Sequence, residues 1–376
     1  MSAPARAAGR RLAALLALLA MSVAGPVATV QRNPARESGL CEGPYAYSAA
    51  HNGVAVLVMR DGRVICEQYA EGFDRETPHP LFSGSKGLSG LMAAAAVADG
   101  ILTLDERAAG TLPEWRDDPL RSRITIRDLL SLSSGLQTSG PQASPGFADA
   151  VRTPAVAPAG ERFAYGPVVF QVFGAIIQRK LAVRGQDADP TLYLARRVLE
   201  PIGARVAAWG GPAVGPDPSL AAGASMSAAE WAKVGELVRL PALAAKARLD
   251  PEAYEAQFRP AGAYPGYGLT WWLATPLGES AREGLDPVAR TIDLPQGAFS
   301  GLVPADLVVA AGAGWQRLYV SRRERLVTVR FAQARNLAAI IAPAQTARDR
   351  GAAVRSGQFS DTEFVTHVLA TLQRAR

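Results

Sequence analysis

Strand-forming segments lie near both ends of this chain, and helix-forming segments fill the long stretch between them. Two β-branched runs flank Asp61-Gly62, a dipeptide that strongly favours a tight hairpin, so residues 54–70 are predicted to form two antiparallel strands. Further strand-like runs follow Ala305, and a helix is predicted over 361–374. The pattern predicts an α+β fold in which both termini build one antiparallel sheet flanked by helices, with a mostly helical lobe inserted between them.

The stretch from Leu81 to Gly100, LFSGSKGLSGLMAAAAVADG, holds the strongest candidate for chemistry. Ser83 and Lys86 are three residues apart at the mouth of an Ala-rich helical run, so their side chains lie over the same turn. A neighbouring amine that has lost its proton can activate a serine, and the N–H groups of a helix amino terminus suit a developing oxyanion. The alternative is a Ser helix cap followed by a solvated Lys.

Lysine usage favours the catalytic interpretation. The chain contains four lysines, at 86, 180, 233 and 246, against thirty-six arginines. Where a cation alone is needed, this sequence therefore uses Arg. A Lys beside Ser83 indicates a need for an amine that can be deprotonated, which a guanidinium cannot be.

The amino terminus has the form of a secretory signal peptide. Residues 1–24 combine three arginines, an apolar run over 12–20 and small residues before Ala24, where cleavage is expected. Such a leader predicts a periplasmic or secreted protein without an integral membrane span in the mature chain; an uncleaved amino-terminal anchor is the alternative. Removing the leader lowers the formal net charge from +6 to +3, which argues against a nucleic-acid partner.

Cysteine and histidine are scarce. Cys41 and Cys66 are the two cysteines, and in an oxidising compartment they could form a disulfide that pins the amino-terminal segment to the sheet, or remain separate thiols. The three histidines are widely spaced and match no metal-binding pattern, so neither a metal nor another cofactor is predicted. An aromatic-rich segment, Tyr264 to Leu273, could be core or pocket wall.

The order of motifs along the chain resembles one family. FSGSKGLSGLMAAAAVADGILTLDE is followed by TLPEW, ITIRDLLSLSSGL, ERFAYGPVVFQVFGAIIQ, SMSAAEWAKVGELV, YGLTWWL and AAGAGWQRLYVSRRERLVTVRF. Over residues 50–375 this order is similar to the serine-hydrolase branch of the class C β-lactamase and penicillin-binding superfamily. That branch includes carboxylesterases and 6-aminohexanoate-dimer hydrolases, and its nucleophile motif is Ser-x-x-Lys.

The resemblance implies roles for individual residues. Ser83 would attack an ester or amide carbonyl to form an acyl-enzyme, and Lys86 would receive its proton. Tyr165, which matches the family's second-motif tyrosine, would relay the proton to the leaving group, its phenol acidified by the nearby ammonium. The oxyanion would be held by backbone N–H groups of Ser83 and of a third-motif residue within 311–316, with Ala313 preferred.

Two departures from the family pattern define the expected substrate. Pro167 stands where the second motif has Asn, and the third motif lacks its usual Lys or His. Those groups hold the amide and carboxylate of penicillins and D-Ala termini, so the resemblance implies an esterase or small-amide hydrolase with poor β-lactam turnover. The expected pocket residues are Gly314, Trp315 and Gln316, although Trp315 could plug the cleft and Gln316 could be an edge-of-strand hydrogen-bonding group.

The predicted layout is a signal peptide at 1–24, an amino-terminal segment at 25–52 and one hydrolase domain at 53–376, with the helical lobe at roughly 105–260. The expected partner is a small ester, amide or peptide. Two other functions stay open: a non-catalytic penicillin-binding-like protein that uses the cleft to hold a ligand, and a β-lactamase or D-alanyl-D-alanine carboxypeptidase.

Overall fold

A computed structural model describes residues 39–138, 144–211, 215–274, 303–333 and 359–375. They all lie in one of the two compact units of the chain, residues 34–376. The other unit, Met1–Asn33, lies outside the described residues, and so does the predicted signal peptide.

The main sheet is antiparallel and draws its strands from both ends of the chain. The strands of the described residues are β1 (Gly53–Arg60), β2 (Arg63–Tyr69), β3 (His79–Pro80), β4 (Ala208–Trp209), β5 (Ala224–Met226), β6 (Trp272–Leu273), β7 (Val308–Gly312), β8 (Gln316–Ser321) and β9 (Leu326–Ala332). The main sheet has the order β2-β1-β9-β8-β7-β6, so the amino-terminal hairpin pairs directly with a late strand. The predicted α+β fold is confirmed.

Helices cover both faces of this sheet. The helices of the described residues are α1 (Glu42–Ala50), α2 (Lys86–Ala98), α3 (Ile126–Leu130), α4 (Phe147–Arg152), α5 (Val168–Val183), α6 (Pro190–Leu194), α7 (Ala228–Arg239), α8 (Pro241–Lys246), α9 (Pro251–Ala256) and α10 (Asp361–Arg374), of which α1 and α7 pack directly on the main sheet. Helices α1 and α10 pack against each other, and α7 packs on β8 and β9.

The alternation of side chains along β8 explains how the two faces differ. Leu318 faces α7, where Gly235 leaves room for it and for Val327 of β9. Arg317 and Tyr319 point to the opposite face, where both contact Asp361 at the start of α10. One face of β8 is therefore apolar, while the other buries a charged network.

A disulfide between Cys41 and Cys66 ties the amino-terminal helix to the sheet edge. Cys41 precedes α1 and Cys66 lies in β2, and both side chains are buried. The bond closes the chain over 25 residues, including the β1 strand.

A second, smaller sheet holds the segment before Ser83 in place. β5 pairs with both β3 and β4, and the Leu81 N–H donates to the Ala224 carbonyl at 2.9 Å. Because β3 ends three residues before Ser83, this sheet positions the turn that carries the predicted nucleophile.

Candidate active site

Ser83 lies in a 3₁₀ turn, Phe82–Ser85, that leads into α2. Phe82 adopts a φ of +47°, a conformation that non-glycine residues rarely adopt and that often marks a functional turn. A Cβ on Gly84 would lie 2.8 Å from the Trp231 indole, so only glycine lets the turn pack this closely on α7. The tight turn leaves Ser83 partly exposed at the mouth of a buried helix.

The Lys86 ammonium group lies beside the Ser83 hydroxyl. Its Nζ donates to Ser83 Oγ at 3.0 Å and to the Ala221 carbonyl at 3.0 Å, and the residue is only 3% exposed. The rings of Tyr165 and Phe170 complete its surroundings, with centroids 4.9 and 5.2 Å from Nζ. Burial lowers the pKa of Lys86 to about 7, so a substantial share of the amine is neutral at physiological pH.

Tyr165 joins the same cluster through its ring, and its Oη is buried without a hydrogen-bond partner among the described residues. Burial raises the pKa of its phenol to about 12, although Ser83 and Trp272 lie near enough to lower it in part. The expectation that an ammonium acidifies this phenol is therefore wrong, because desolvation of the phenolate outweighs the charges near the ring. Tyr165 therefore keeps its proton as a neutral phenol near the Ser83 side chain.

The turn between β7 and β8 reaches the nucleophile from the sheet side. A Cβ on Gly312, the last residue of β7, would lie 1.9 Å from the Leu81 carbonyl oxygen, so the strand end touches the segment that carries Ser83. Ala313, the first residue of the turn, is half-buried. Neither its N–H nor that of Ser83 donates a hydrogen bond within the described ranges. Within that part of the chain, both N–H groups are available as candidate donors to an oxyanion.

The remaining residues of this turn differ in their surroundings. Gly314 and Trp315 both have positive φ, +68° and +61°. The Trp315 side chain is half-buried and packs against the core, with its Nε1 unpaired among the described residues.

Gln316 does not fit the predicted pocket. Its side chain is buried, its Nε2 donates to the Gly314 and Ala332 carbonyls, and its Oε1 accepts from the Ala332 N–H. The assignment of Gln316 to the pocket is corrected accordingly. Since both ends of the amide bind backbone, it extends the pairing of β8 with β9 instead of facing a substrate.

Pro167 caps the amino end of α5 and brings no polar side chain to the site. The Ala221 carbonyl, which accepts from Lys86, lies in another segment of the chain. Gln171, a buried residue of α5, holds that segment through hydrogen bonds. Gln171 Oε1 accepts from the Leu220 N–H at 2.9 Å, while its Nε2 donates to the Pro145 and Pro218 carbonyls. Sequence reasoning missed this role, for which a glutamine inside the apolar run VVFQVF was the available signal.

An aromatic cluster surrounds Tyr165, comprising Phe163, Tyr264, Tyr267 and Trp272. Its ring centroids lie 4.7 to 6.4 Å apart, in tilted or edge-to-face pairs. All members are buried, so the aromatic-rich segment from 264 forms core packing that also backs the site.

The described part of the chain holds no group of three or more His, Cys, Asp or Glu side chains that could bind a metal ion. Among the same residues, no helix is both long enough and apolar enough to cross a bilayer.

The fold is that of the β-lactamase-like serine hydrolases. The sequence model of the Beta-lactamase family matches residues 36–344, and the chain belongs to that family. No curated protein matches the sequence.

Solved structures of three relatives share the fold at low sequence identity. EstCE1, a hydrolase with promiscuous acyltransferase activity, is 16% identical with a TM-score of 0.60, and the match covers 90% of this chain and 100% of that one. A class C β-lactamase from Rhodobacter sphaeroides is 16% identical with a TM-score of 0.56, over 88% of this chain and 98% of that one. A Bacillus anthracis protein assigned provisionally as a 6-aminohexanoate-dimer hydrolase is 14% identical with a TM-score of 0.55, over 82% and 79%.

Proposed function

We propose that this chain is an exported serine hydrolase that cleaves neutral esters or small amides through an acyl-enzyme on Ser83. The observation that carries the proposal is the 3.0 Å contact between a buried, largely desolvated amine and the Ser83 hydroxyl. Export is supported by the predicted signal peptide and by the Cys41–Cys66 disulfide, which is typical of oxidising compartments.

In the acylation step, neutral Lys86 takes the Ser83 hydroxyl proton while Oγ forms a bond to the substrate carbonyl carbon. Negative charge moves to the carbonyl oxygen, where the N–H groups of Ser83 and Ala313 stabilise it. When the bond to the leaving group breaks, the leaving oxygen or nitrogen receives a proton from Tyr165, which Lys86 reprotonates. Water then attacks the acyl-enzyme by the reverse sequence and releases the acid.

The preference for neutral substrates rests on the charges near the site. Lys86 is committed to the nucleophile, and Arg317 is buried against Asp361. Pro167 offers no amide for a substrate to bind. A carboxylate-bearing substrate would therefore lose the solvation of its charge without gaining a cation in the described part of the site.

Hydrolysis of p-nitrophenyl butyrate and of a chromogenic cephalosporin by the purified mature chain tests the proposal. We expect ester turnover that Ser83→Ala abolishes, with a much lower kcat/KM for the cephalosporin. Rapid cephalosporin hydrolysis beside an inert ester would instead identify a β-lactamase. No turnover of either substrate by a folded protein would favour the non-catalytic binding function.

A further inference from the structure

The turn that carries the Ala313 N–H is held by buried side chains from the face of the sheet that packs on α1 and α10. Arg317 Nη1 donates to the Gly312 carbonyl at 3.0 Å and to the Gln316 carbonyl at 3.2 Å, bridging the two ends of the turn. Arg330 Nη1 donates to the Trp315 carbonyl at 2.9 Å. We infer that these two arginines, here called the arginine clamp, are positioning residues for the oxyanion site, an assignment that rests on the proposed function.

The hydrogen bond from Arg317 to the Gly312 carbonyl affects the Ala313 N–H through the peptide unit that joins these two residues. The Gly312 carbonyl and the Ala313 N–H belong to the same peptide group, and in a trans peptide the two point in opposite directions. Fixing the carbonyl therefore fixes the direction of the N–H. A hydrogen bond from a charged guanidinium also polarises the peptide and makes its N–H a better donor.

The conformation of the turn explains why a clamp is needed. Trp315 has a φ of +61°, a left-handed conformation that is unfavourable for a non-glycine residue. Such conformations persist where the surroundings over-determine them, and they cluster at functional sites. Without the clamp, the turn could relax away from the geometry that directs the Ala313 N–H to the nucleophile.

The clamp is itself anchored to the two terminal helices. Arg317 Nε donates to Asp361 at 2.8 Å, at the first residue of α10, and its guanidinium is fully buried. Arg330 donates to Ser48 Oγ at 3.0 Å and to the His51 carbonyl at 2.7 Å, at the end of α1. Both arginines thus connect the oxyanion turn to rigid elements outside the cleft, and neither is available to bind substrate.

Removing Arg317 alone would leave the buried Asp361 charge unpaired and could prevent folding. The informative comparison is therefore Arg317→Met/Asp361→Asn against Asp361→Asn alone, because both keep an acceptor for Tyr319 and only the first loses the Gly312 contact. Since Asp361→Asn leaves the buried Arg317 charge without its carboxylate, circular dichroism first checks that both variants fold, and Arg330→Met, which leaves this ion pair intact, is compared with the unmodified protein. Arg330→Met tests the other half of the clamp. For p-nitrophenyl butyrate, we expect kcat to fall about 10–100-fold in the double variant relative to Asp361→Asn, with KM changed less than threefold.

A second readout, hydrogen–deuterium exchange of a peptide covering 308–320, does not depend on activity. We expect faster exchange in the double variant than in Asp361→Asn, and faster exchange in Arg330→Met than in the unmodified protein. Unchanged kcat, or a loss confined to KM, would overturn the assignment, as would unchanged exchange. If the unmodified protein neither hydrolyses esters nor labels at Ser83, the proposed function is wrong, and the exchange rates alone decide whether the clamp holds the turn.

Discussion

At the scale of single residues, the proposed chemistry depends on an amine that can lose its proton. Lys86 is buried between two aromatic rings, and its Nζ has the Ser83 hydroxyl and one carbonyl as polar neighbours. No carboxylate pairs with it in the described part of the chain, and burial moves its pKa down to about 7. The same residue on the surface would stay protonated and would be useless as a base.

Replacing Lys86 with arginine, which keeps the positive charge, should strongly reduce activity. Lys86→Arg is expected to lower kcat/KM for p-nitrophenyl butyrate about 10²–10⁴-fold, because a guanidinium stays protonated and cannot accept the serine proton. Lys246→Arg, at an exposed position of α8, is the matched control and should leave kcat/KM unchanged. Substantial activity of the Lys86→Arg protein would mean that another group activates Ser83.

The pH dependence of ester hydrolysis follows from the two pKa values at the site. The active form carries neutral Lys86, so kcat/KM should rise with pH through about 7 and then level off. The pKa of Tyr165 is raised to about 12, so no second change is expected below pH 10. A stopped-flow or plate assay from pH 5 to 10 measures this profile; activity that falls as pH rises through 7 would contradict a neutral-amine base.

At the scale of secondary-structure elements, the proposed mechanism requires β7 to approach the turn before α2 closely. A side chain at Gly312 would overlap the Leu81 carbonyl, so only glycine fits at this position. Gly312→Ala should push the strand end away and lower kcat/KM about 100-fold, the cost of misplacing a catalytic group by about 1 Å. Gly110→Ala is the control, since a Cβ there meets nothing within 4 Å and activity should be retained. Equal activities of the two variants would show that the close approach is not needed.

The disulfide between α1 and β2 stabilises the sheet edge independently of the chemistry. Its loss in Cys41→Ser/Cys66→Ser frees a loop of 25 residues in the unfolded chain and should lower the free energy of unfolding by about 3 kcal/mol. Urea denaturation monitored by circular dichroism measures this change. Identical unfolding midpoints for the unmodified protein and the Cys41→Ser/Cys66→Ser variant would rule out a stabilising role of the disulfide.

Sequence patterns predicted the elements well because those patterns are local. The Asp61-Gly62 hairpin formed as expected, with both residues at positive φ, and α10 covers the predicted residues Asp361–Arg374. The hydrogen bonds of the arginine clamp could not be predicted from such local patterns. Arg330 and Ser48 are 282 positions apart, and a buried Arg on an apolar strand looks like any other strand residue until the fold brings its partner close.

At the scale of the whole molecule, the two faces of the main sheet contact different parts of the proposed site. One face of the sheet packs on α7, which also contacts the turn that carries Ser83, and the other face carries the charged network that binds the turn between β7 and β8. The predicted domain limits at 53–376 and the helical lobe at roughly 105–260 stay predictions.

The most direct test of the account is to map where a fluorophosphonate probe binds covalently to the folded mature chain. Intact-mass and peptide mass spectrometry should find one adduct, on Ser83, that forms faster as pH rises through about 7 and is missing from Ser83→Ala. An unlabelled wild-type protein, or an adduct that persists in Ser83→Ala, would contradict the claim that a neutral Lys86 activates Ser83.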